Sequence, residues 1–460
     1  MASAQEALMN TNHRTRVLKV DVSKIGAFVF QDQQLGFLGD WDIQLSEASV
    51  DAANLQEAAT RLRDGDLPVA FPTETVYGLG ADATRSSAVR GIYNAKRRPS
   101  DNPLITHISS LPQLRRMLSP LDKSPAGLAA SQDPIPSIYH PLIAKFWPGP
   151  LTILLPLPTP SPLAAEVTAS QPTVAVRMPS SRLALALIKL AKLPLAAPSA
   201  NASSKPSPTT AGHVLQDLSG RIDLILDGGP CEVGVESTVV DGLSDPPVVL
   251  RPGGISVDIL REIPGWKDVR IAYKDSNQKE KPRVPGMKYR HYSPNAKVVL
   301  IHSDTDAETI RNQIKTARSV GLLTTERWSP QVFGVRHEGH HESGLPDKES
   351  GQIHADLGKR KPEEIIKAKD IENTSENPTL AAYHSTLDFH GKGDHPVDVW
   401  TIALGQDVDG IARGLFSALR ALDQKNVEVI LVEGIDDGEE GARAAIVNRL
   451  RKAAELEINP

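Results

Sequence analysis

The 460-residue sequence contains little cysteine, few aromatic residues and almost no net charge. Its one cysteine, Cys231, excludes an intrachain disulfide framework and a zinc site made of several cysteines, and it indicates a reducing compartment. Phe, Trp and Tyr make up only 4% of the residues, so Val, Ile, Leu and Ala must build the core. The formal net charge of −5 argues against broad binding to nucleic acids or membranes, but it does not exclude a local basic cleft.

The sequence also lacks the patterns of a membrane or exported protein. Its longest apolar stretch, residues 183–198, is interrupted by Lys189, Lys192 and Pro194 and is shorter than the roughly 20 residues of a membrane-spanning helix. The N-terminus has no charged-then-apolar signal pattern. We therefore expect a cytoplasmic protein without membrane contact, and a mitochondrial pool stays open. Neither a P-loop nor a GxGxxG motif is present, which excludes an ATP site of either type.

Short apolar segments that alternate with amphipathic helices predict an α/β protein with two domains. Residues 51–265 combine such segments with tight turns, which predicts a mixed parallel and antiparallel twisted sheet. Residues 266–296 are polar and rich in proline, as in a linker. Residues 297–460 show nearly continuous apolar strands between helices, which predicts a smaller, parallel, Rossmann-like domain. Residues 1–50 are interpreted as an N-terminal extension, and the polar residues from about 326–395 as an insertion with no assigned role.

A cluster of cations lies in the segment KRRPSDNPL, residues 96–104, between a predicted helix end and a strand. Lys96 and Arg98 are two positions apart, so both side chains can lean over one cleft. Arginine offers a rigid fork for phosphate or carboxylate, and lysine offers a compact charge. The alternative is a set of charges at a helix C-terminus on a solvated surface.

Hydroxyl groups concentrate in the segment APSANASSKPSPTT, residues 197–210, after a buried strand and before a helix. Such a loop suits a nucleotide phosphate, because its backbone N–H groups point at the anion. An ordinary serine-rich turn with helix caps is the alternative.

Three further segments combine hydroxyl groups, glycine and arginine. In FPTETVYGLGAD, Thr73, Thr75 and Tyr77 stand at every second position and are expected on one strand face. GVESTVVD (residues 234–241) and RPGG (residues 251–254) add a hydroxyl pair and an arginine at strand ends beside glycine-rich turns.

These segments, together with FWPGPLT, occur in an order that resembles the Sua5/YrdC/YwlC family, the threonylcarbamoyl-AMP synthases. The family pattern K-x-R before N-P-L matches Lys96 and Arg98, and its S-x-N pattern matches Ser199 and Asn201. The segment PGMKYRHYSP, residues 285–294, and the domain after it resemble the longer, two-domain Sua5 type rather than the single-domain YrdC type. The match covers most of the chain outside the predicted insertion.

Two positions depart from the family pattern. Arg97 and Ser204 stand where the family often has glycine. Both lie in predicted loops, so we expect altered loop geometry there rather than lost activity.

The resemblance implies a nucleotidyltransferase that condenses L-threonine, bicarbonate and ATP into threonylcarbamoyl-AMP and releases pyrophosphate. The product would pass to a tRNA threonylcarbamoyl transferase complex for N6-threonylcarbamoylation of adenosine 37, and weak tRNA binding agrees with a cationic cleft. Three anions converge in this reaction, so the cleft must be cationic and must align the reactants. Mg²⁺ is expected to arrive with ATP, because the sequence shows no carboxylate cage for a resident metal.

By motif position, the resemblance assigns site residues to three groups. L-threonine would be bound by Thr75, His107, Arg177, Ser237 and the backbone of Ala197. ATP would be bound by Arg98, Asn102, Thr173, Ser199, Asn201, Ser207, Arg251 and Tyr292, and the catalytic residues would be Lys96, Arg98, Ser199 and Asn201. Lys96 would hold the charge of bicarbonate and carbamate.

The linker is expected to fold over the cleft as a lid that excludes water, with Tyr292 and His291 facing the substrates. Without the resemblance, Tyr292 is simply an aromatic residue of a linker. His107 in LITHI is, without it, a packed histidine of a buried strand.

Other functions agree less well with the residues. An RNA-binding module with a basic cleft is the rival from another class, and the negative net charge opposes it. A hydrogenase-maturation carbamoyltransferase with a related domain needs cysteine-rich zinc motifs, which one cysteine excludes. HEGHH at residues 337–341 matches the zinc-protease pattern H-E-x-x-H, but the surrounding glycines oppose the helix that such a site needs.

Overall fold

Two sheets organise the part of the chain that the structure describes. The computed structural model describes residues 14–119, 133–272, 282–286, 291–328, 382–387, 396–438 and 441–459. Residues 16–271 form the first sheet and a small hairpin (the first domain), and residues 297–458 form the second sheet (the second domain). No helix in these ranges is long and apolar enough to cross a membrane. The HEGHH segment and most of the predicted insertion lie outside the described residues.

The first sheet is mixed, as the sequence predicts. The strands of the first domain are β1 (Arg16–Lys19), β2 (Gly26–Phe30), β3 (Trp41–Leu45), β4 (Val69–Pro72), β5 (Tyr77–Asp82), β6 (Ile105–His107), β7 (Leu151–Pro156), β8 (Thr173–Arg177), β9 (Leu195–Ala196), β10 (Leu224–Asp227), β11 (Thr238–Asp241), β12 (Val248–Arg251) and β13 (Arg270–Ile271). Their order in the sheet is β1-β10-β4-β5-β9-β6-β8-β7-β11-β12-β13, and parallel and antiparallel pairs both occur. β2 and β3 pair only with each other, whereas β1 adds an edge strand from the predicted N-terminal extension.

Several helices of the first domain begin at a hydroxyl side chain that caps them. These helices are α1 (Val50–Asp64), α2 (Ser86–Lys96), α3 (Leu111–Leu118), α4 (His140–Phe146), α5 (Ala165–Thr168), α6 (Arg182–Ala191), α7 (Ala211–Leu218) and α8 (Val257–Arg261), with 3₁₀ turns at Gly36–Leu38 and Ser137–Tyr139. Ser49, Ser181 and Thr210 each accept a hydrogen bond from the backbone N–H three residues later, at the starts of α1, α6 and α7. α6 is almost wholly apolar because it packs against α1, β3 and β4.

The second sheet is parallel except at one edge. Its elements are β14 (Lys297–Ile301), α9 (Ala307–Ile314), β15 (Ser319–Thr324), β16 (Tyr383–Leu387), β17 (Val397–Ala403), α10 (Val408–Gln424), β18 (Val429–Glu433), α11 (Arg443–Ala453) and β19 (Leu456–Ile458). The strand order is β16-β17-β15-β18-β14-β19, and β16 runs antiparallel to β17. Because β16 lies within residues 326–395, the sheet extends into the range that the sequence predicts to be an insertion.

The two domains meet along α10 and α11. Val76 and Val235 of the first domain are buried in the same apolar cluster as Phe416 of α10. Nearby, Gly234 has a φ of +80°, and a Cβ built on it would lie 2.3 Å from the Cα of Arg413. The two backbones therefore approach so closely that only glycine is accommodated at this position.

A buried ion pair also joins the domains. Arg420 of α10 donates two hydrogen bonds to the carboxylate of Asp217 in α7, at 3.0 and 2.7 Å, and both side chains are buried. It also donates to the backbone carbonyl of Pro206. Beside it, the hydroxyl oxygens of Thr209 and Ser417 are 2.8 Å apart. The interface therefore combines apolar packing with buried polar contacts.

Candidate active site

Most of the predicted site residues converge on one cavity of about 240 Å³. It lies where β8, β12, the C-terminus of α2, the β9–α7 loop and the linker meet. The predicted residues that line it are Thr75, Lys96, Arg98, Asn102, His107, Arg177, Ala197, Ser199, Asn201, Ser207, Ser237, Arg251, His291 and Tyr292. Segments far apart in the sequence thus form one hollow, as the interpretation of the motifs requires.

Thr173 is not among the residues that line this cavity. It begins β8, whereas Arg177 ends the same strand. At roughly 3.3 Å per residue, the two residues lie about 13 Å apart along the strand. The assignment of Thr173 to ATP therefore lacks the geometry that the other assigned residues share.

The prediction that the hydroxyl groups of Thr73, Thr75 and Tyr77 share one strand face is wrong for Tyr77. Thr73 and Thr75 line the cavity, but the hydroxyl of Tyr77 donates to the backbone carbonyl of Gly229 at 2.7 Å. The physical reason is that residues 73–76 form the turn between β4 and β5, so a strand alternation does not connect Thr75 with Tyr77.

Lys96 ends α2 and is buried. Its ammonium donates to the backbone carbonyl oxygens of Ser199 and Asn201, and it lies 3.4 Å from the side-chain Oδ1 of Asn201. The Ser199 hydroxyl donates to the same Oδ1 at 2.5 Å. Burial and repulsion by Arg98 hold the pKa of Lys96 well below its usual value. Lys96 thus ties the end of α2 to the hydroxyl-rich loop and fixes the shape of that loop.

Arg97 turns the chain between the two cations of this cluster. Its φ of 53° is left-handed and ends α2. Arg98 then donates to the backbone carbonyl oxygens of Asn102 and Pro103 at 3.2 and 3.0 Å, and burial lowers the pKa of Arg98 to about 10. Ser204 has a φ of 72°. Both positions where the family often has glycine therefore have the left-handed backbone that glycine favours.

Arg177 carries a buried donor that faces the cavity. Its Nη1 donates to the hydroxyl of Thr75 at 2.8 Å, and its Nη2 lies 2.6 Å from a carboxylate oxygen of Glu74. This contact with Glu74 is an ion pair without hydrogen-bond geometry, and Nη2 has no hydrogen-bond acceptor among the described residues. A ligand carboxylate can therefore satisfy Nη2.

His107 pairs with Arg177 on the neighbouring strand β6, and Ala197 directly follows β9, the next strand beyond β6. The Nδ1 of His107 lies 3.3 Å from the carbonyl oxygen of Ile105, and burial and Arg177 lower the pKa of His107 to about 3. His107 is therefore neutral at physiological pH. The N–H of Ala197 donates to the same carbonyl at 2.9 Å, so a ligand contact to the Ala197 backbone must use its carbonyl oxygen.

Arg251, at the end of β12, connects the sheet with the linker. Its guanidinium donates to the carbonyl and hydroxyl oxygens of Ser237 at 3.0 and 3.1 Å and to the carbonyl of Pro285 at 3.2 Å. Burial lowers the pKa of Arg251 to about 10. Tyr292 stacks on Phe416 of α10 with 5.1 Å between ring centroids, so the second domain holds this aromatic ring at the cavity.

The linker contributes to the cavity wall on both sides of a gap in the described residues. Pro285 and Gly286 line the cavity before the gap, and His291 and Tyr292 line it after. Residues 287–290 lie outside the described part of the chain. Burial, followed by repulsion from nearby cations, lowers the pKa of His291 to about 3, so this histidine is neutral as well.

The sequence interpretation misses Glu236, which lines the cavity. Its carboxylate accepts hydrogen bonds from Ser207 Oγ at 2.6 Å and from Arg449 Nε at 2.9 Å. Burial alone would raise the pKa of Glu236, but Arg449, Arg251 and the Ser207 hydrogen bond outweigh it and lower this pKa to about 2. The sequence contained one signal for this residue. Glu236 is an acidic residue inside the GVEST segment, between Gly234-Val235 and the hydroxyl pair Ser237-Thr238.

The arrangement is suited to anions. Lys96, Arg98, Arg177 and Arg251 line one small cavity together with several hydroxyl groups. Preorganised donors in a buried site stabilise charge that develops on transferring groups. Among the described residues, no group of three or more His, Cys, Asp or Glu side chains could hold a metal ion.

Comparison with known proteins finds a family match in each half of the chain. The family model described as telomere recombination (Sua5, YciO and YrdC) matches residues 61–253, and the model described as threonylcarbamoyl-AMP synthase, C-terminal domain, matches residues 255–455. The chain is 45% identical over 413 residues to the threonylcarbamoyl-AMP synthase of Schizosaccharomyces pombe, covering 87% of this chain and 88% of the relative. It is 38% identical over 417 residues to that of Bacillus subtilis, covering 90% and 97%.

A solved structure agrees with this relationship. The crystal structure of P. abyssi Sua5 complexed with L-threonine has a TM-score of 0.65 to this chain at 33% identity, covering 97% of this chain and 100% of that one. The similarity therefore extends over the cavity, the linker and the second domain. The chain belongs to the Sua5/YrdC/YwlC family and, within it, to the two-domain Sua5 type.

Proposed function

We propose that this chain is a threonylcarbamoyl-AMP synthase, which condenses L-threonine, bicarbonate and ATP and releases pyrophosphate. The observation that carries this proposal is the single cavity that Arg177 and Thr75 share with Lys96, Arg98 and Arg251. The relatives named threonylcarbamoyl-AMP synthase, which align over most of the chain, support the same activity.

Arg177 binds the carboxylate of L-threonine. Its Nη2 is a buried donor without a hydrogen-bond acceptor among the described residues, and an arginine fork matches a carboxylate. Thr75 accepts a hydrogen bond from Nη1, and Glu74 forms an ion pair with Nη2 itself, so the ligand carboxylate shares Nη2 with Glu74. The solved relative that is complexed with L-threonine supports a threonine site in this fold.

ATP occupies the side of the cavity that contains Arg98 and Arg251. The Oδ1 of Asn102 is a buried acceptor without a hydrogen-bond partner among the described residues, which suits an amino or hydroxyl donor of the nucleotide. Ser199 and Ser207 provide hydroxyl groups for the phosphates. The two arginines neutralise the triphosphate charge.

The reaction joins the three substrates in two steps. The amine of threonine attacks bicarbonate, and water leaves as the carbamate forms. A carbamate oxygen then attacks the α-phosphorus of ATP, and the bond from that phosphorus to pyrophosphate breaks. Lys96 holds the carbamate charge while the surrounding groups align the reactants. Entering anions raise the pKa values of Lys96 and Arg98 toward their usual range, so the repulsion between these buried cations is relieved on binding.

Mg²⁺ enters as a complex with ATP, in this proposal. Mg²⁺ prefers octahedral oxygen ligands and commonly binds through substrate phosphates, water and one or two carboxylates. The one carboxylate among the cavity residues, Glu236, is already engaged by Ser207 and Arg449. The phosphates and water are therefore the ligands that we assign to it.

The product leaves for a tRNA threonylcarbamoyl transferase complex, which uses it for N6-threonylcarbamoylation of adenosine 37. We place this reaction in the cytoplasm, because a single buried cysteine suits a reducing compartment. Any contact of the cavity with tRNA itself is weak in this proposal, since the net charge of the chain is −5.

Pyrophosphate release by the purified chain tests the proposal. We expect release only when L-threonine, bicarbonate and Mg-ATP are all present, and we expect the coupled adenylate product by mass spectrometry. Omission of each substrate in turn is the control. Salt-sensitive tRNA binding without any turnover would contradict the enzyme and favour an RNA-binding module.

A paired variant tests the threonine site. Arg177→Met alone would leave Glu74 as an unpaired buried charge, at a cost of about 3–5 kcal/mol in stability, so Glu74→Gln is combined with it. We expect the KM for L-threonine to rise about 10–100-fold, as for the loss of charged hydrogen bonds. Affinity for ATP should change little. An unchanged KM for threonine would remove Arg177 from this role.

A further inference from the structure

Helix α11 of the second domain sends one arginine to the cavity wall of the first. Arg449 is fully buried, with 0% of its side chain exposed. Its Nε donates to Glu236 at 2.9 Å and its Nη1 donates to the carbonyl oxygen of Pro252 at 2.6 Å. The guanidinium also lies 5.7 Å from the centroid of the Tyr292 ring, within cation–π range. One side chain thus contacts the GVEST segment, the RPGG turn and the linker.

Glu236 connects this arginine with the ATP side of the cavity. It lines the cavity and accepts a hydrogen bond from Ser207 Oγ at 2.6 Å. Without Arg449, Glu236 loses its hydrogen-bonded cation and keeps only the attraction of Arg251, so it shifts toward protonation or toward water, and either change would alter its bond to Ser207. Pro252 directly follows Arg251, so the bond to its carbonyl fixes the turn that presents Arg251.

A second cation of α11 supports the same wall. Lys452 follows Arg449 by three residues and therefore lies on the same helix face. Its ammonium donates to the backbone carbonyl of Gly286, a cavity residue of the linker. Contacts from α11 thus reach the cavity wall at the linker as well as at Glu236.

We propose that Arg449 is a positioning residue of the synthase site, which acts through Glu236 and the Pro252 carbonyl to hold Ser207 and Arg251 where ATP binds. That the ligand is ATP rests on the proposed function, whereas the contacts of Arg449 are independent of it. The second domain is in this respect part of the ATP site. Lysine cannot replace Arg449, because its single ammonium cannot make the two diverging contacts of the guanidinium fork.

The test replaces Arg449 in the full chain. We expect Arg449→Met to lower kcat/KM for ATP about 10–100-fold, the range for residues that orient ligand-contacting groups without contacting the ligand. The KM for L-threonine should change little. Arg449→Lys should recover less than a third of that loss, on the same scale. Arg451→Met is the matched control, because Arg451 lies on the same helix in exposed ion pairs with Asp437 and Glu457. Equal losses in both variants would contradict the proposal.

A double variant shows whether Arg449 acts through Glu236. Arg449→Met/Glu236→Gln leaves neither member of this ion pair as an unpaired buried charge, so we expect it to be more stable than the single variant, and Gln can still accept the Ser207 hydrogen bond. We expect it to bind ATP more tightly than Arg449→Met does. No recovery, or a loss of thermal stability with both KM values unchanged, would overturn the positioning role.

Titration calorimetry with Mg-ATP separates this inference from the proposed function. If the unmodified chain binds ATP but releases no pyrophosphate, the proposed function fails, and the binding measurement still tests Arg449. If Arg449→Met binds ATP as tightly as the unmodified chain, the inference fails whatever the catalytic result.

Discussion

The two domains bury arginine in different ways. In the first domain, Arg177 and Arg251 end strands and line the cavity. In the second domain, Arg420 and Arg449 lie on helices, and their carboxylate partners belong to the first domain. The first two arginines face the cavity, and the other two face the neighbouring domain. The difference teaches that a substrate site can depend on charges that never contact the substrate.

The two arginines of the second domain also differ from each other. The partner of Arg449, Glu236, lines the cavity, whereas the partner of Arg420, Asp217, does not. Arg420 also bonds to the carbonyl of Pro206, next to Ser207, but among the described residues it contacts no cavity side chain directly. It should therefore affect mainly how firmly the domains are joined and ATP affinity less, whereas Arg449 should affect mainly the affinity for ATP.

Loss of Arg420 gives the largest effect that we expect on stability. Arg420→Met leaves Asp217 as an unpaired buried carboxylate, so the free energy of unfolding should fall by about 3–5 kcal/mol. Denaturant unfolding measures this change, and Arg420→Met/Asp217→Asn should recover most of it. If the single variant, studied while folded, loses ATP affinity as strongly as Arg449→Met, the distinction between the two arginines is wrong.

Arg98→Ala tests a cation that faces the ligand. We expect turnover to fall about 10²–10³-fold, the scale for one preorganised charge contact, without a comparable loss of stability. Arg97→Gly is the control, since Arg97 is exposed and its φ of 53° suits glycine. Unchanged pyrophosphate release by Arg98→Ala would refute the assignment of Arg98.

His107 predicts a pH dependence of stability in the first domain. Its pKa is about 3 when folded against 6.5 ordinarily, because burial and then Arg177 disfavour the charged ring. The unfolded chain therefore binds more protons, and this contribution to stability is present above pH 6.5 and lost as the pH falls toward 3. The slope should reach about 1.4 kcal/mol per pH unit, and unfolding of His107→Gln should show a shallower one. Equal slopes in both proteins would contradict a neutral buried histidine.

The smallest effect is expected far from the cavity. Tyr383, which begins β16, pairs with Thr401 near the carboxyl end of β17, and the N–H of Trp328 donates to Glu433, which ends β18, so both residues lie at the same edge of the sheet. A Gly/Ser linker of about eight residues, which spans roughly 15 Å, can therefore replace residues 329–381. Activity should persist and stability should change by less than about 0.5 kcal/mol. Removal of residues 326–395 should be worse, because it also deletes β16.

Much of the fold follows from the sequence because its elements carry their own signals. The spacing of Leu55, Ala59 and Leu62 before Gly65 predicts a helix over residues 51–63, and α1 forms there with the Ser49 cap at its start and Gly65 at its end. The β2–β3 hairpin was missed because residues 31–40 separate its strands, whereas hairpin loops usually have about two to five residues. β16 was missed because it lies in a polar range without a periodic pattern of its own.

Some residues of the site could likewise be predicted from the sequence, and others could not. Lys96, Arg98, Ser199 and Asn201 line the cavity, and the sequence pointed to them because they match the K-x-R and S-x-N patterns of the family. Arg449 was not, because on the sequence it is one of several basic residues of an amphipathic helix. Its partner comes from a segment more than 200 residues earlier, and only the packing of the two domains brings the pair together.

Gly234 makes that packing sensitive to a single methyl group. A Cβ at this position would overlap the backbone of α10, with the carbonyl oxygen of Ala412 only 2.6 Å away. Alanine at position 234 would push the two domains apart at their interface, two positions before Glu236. Gly234→Ala would therefore misalign the nucleotide pocket, although alanine adds no polar atom and contacts no substrate.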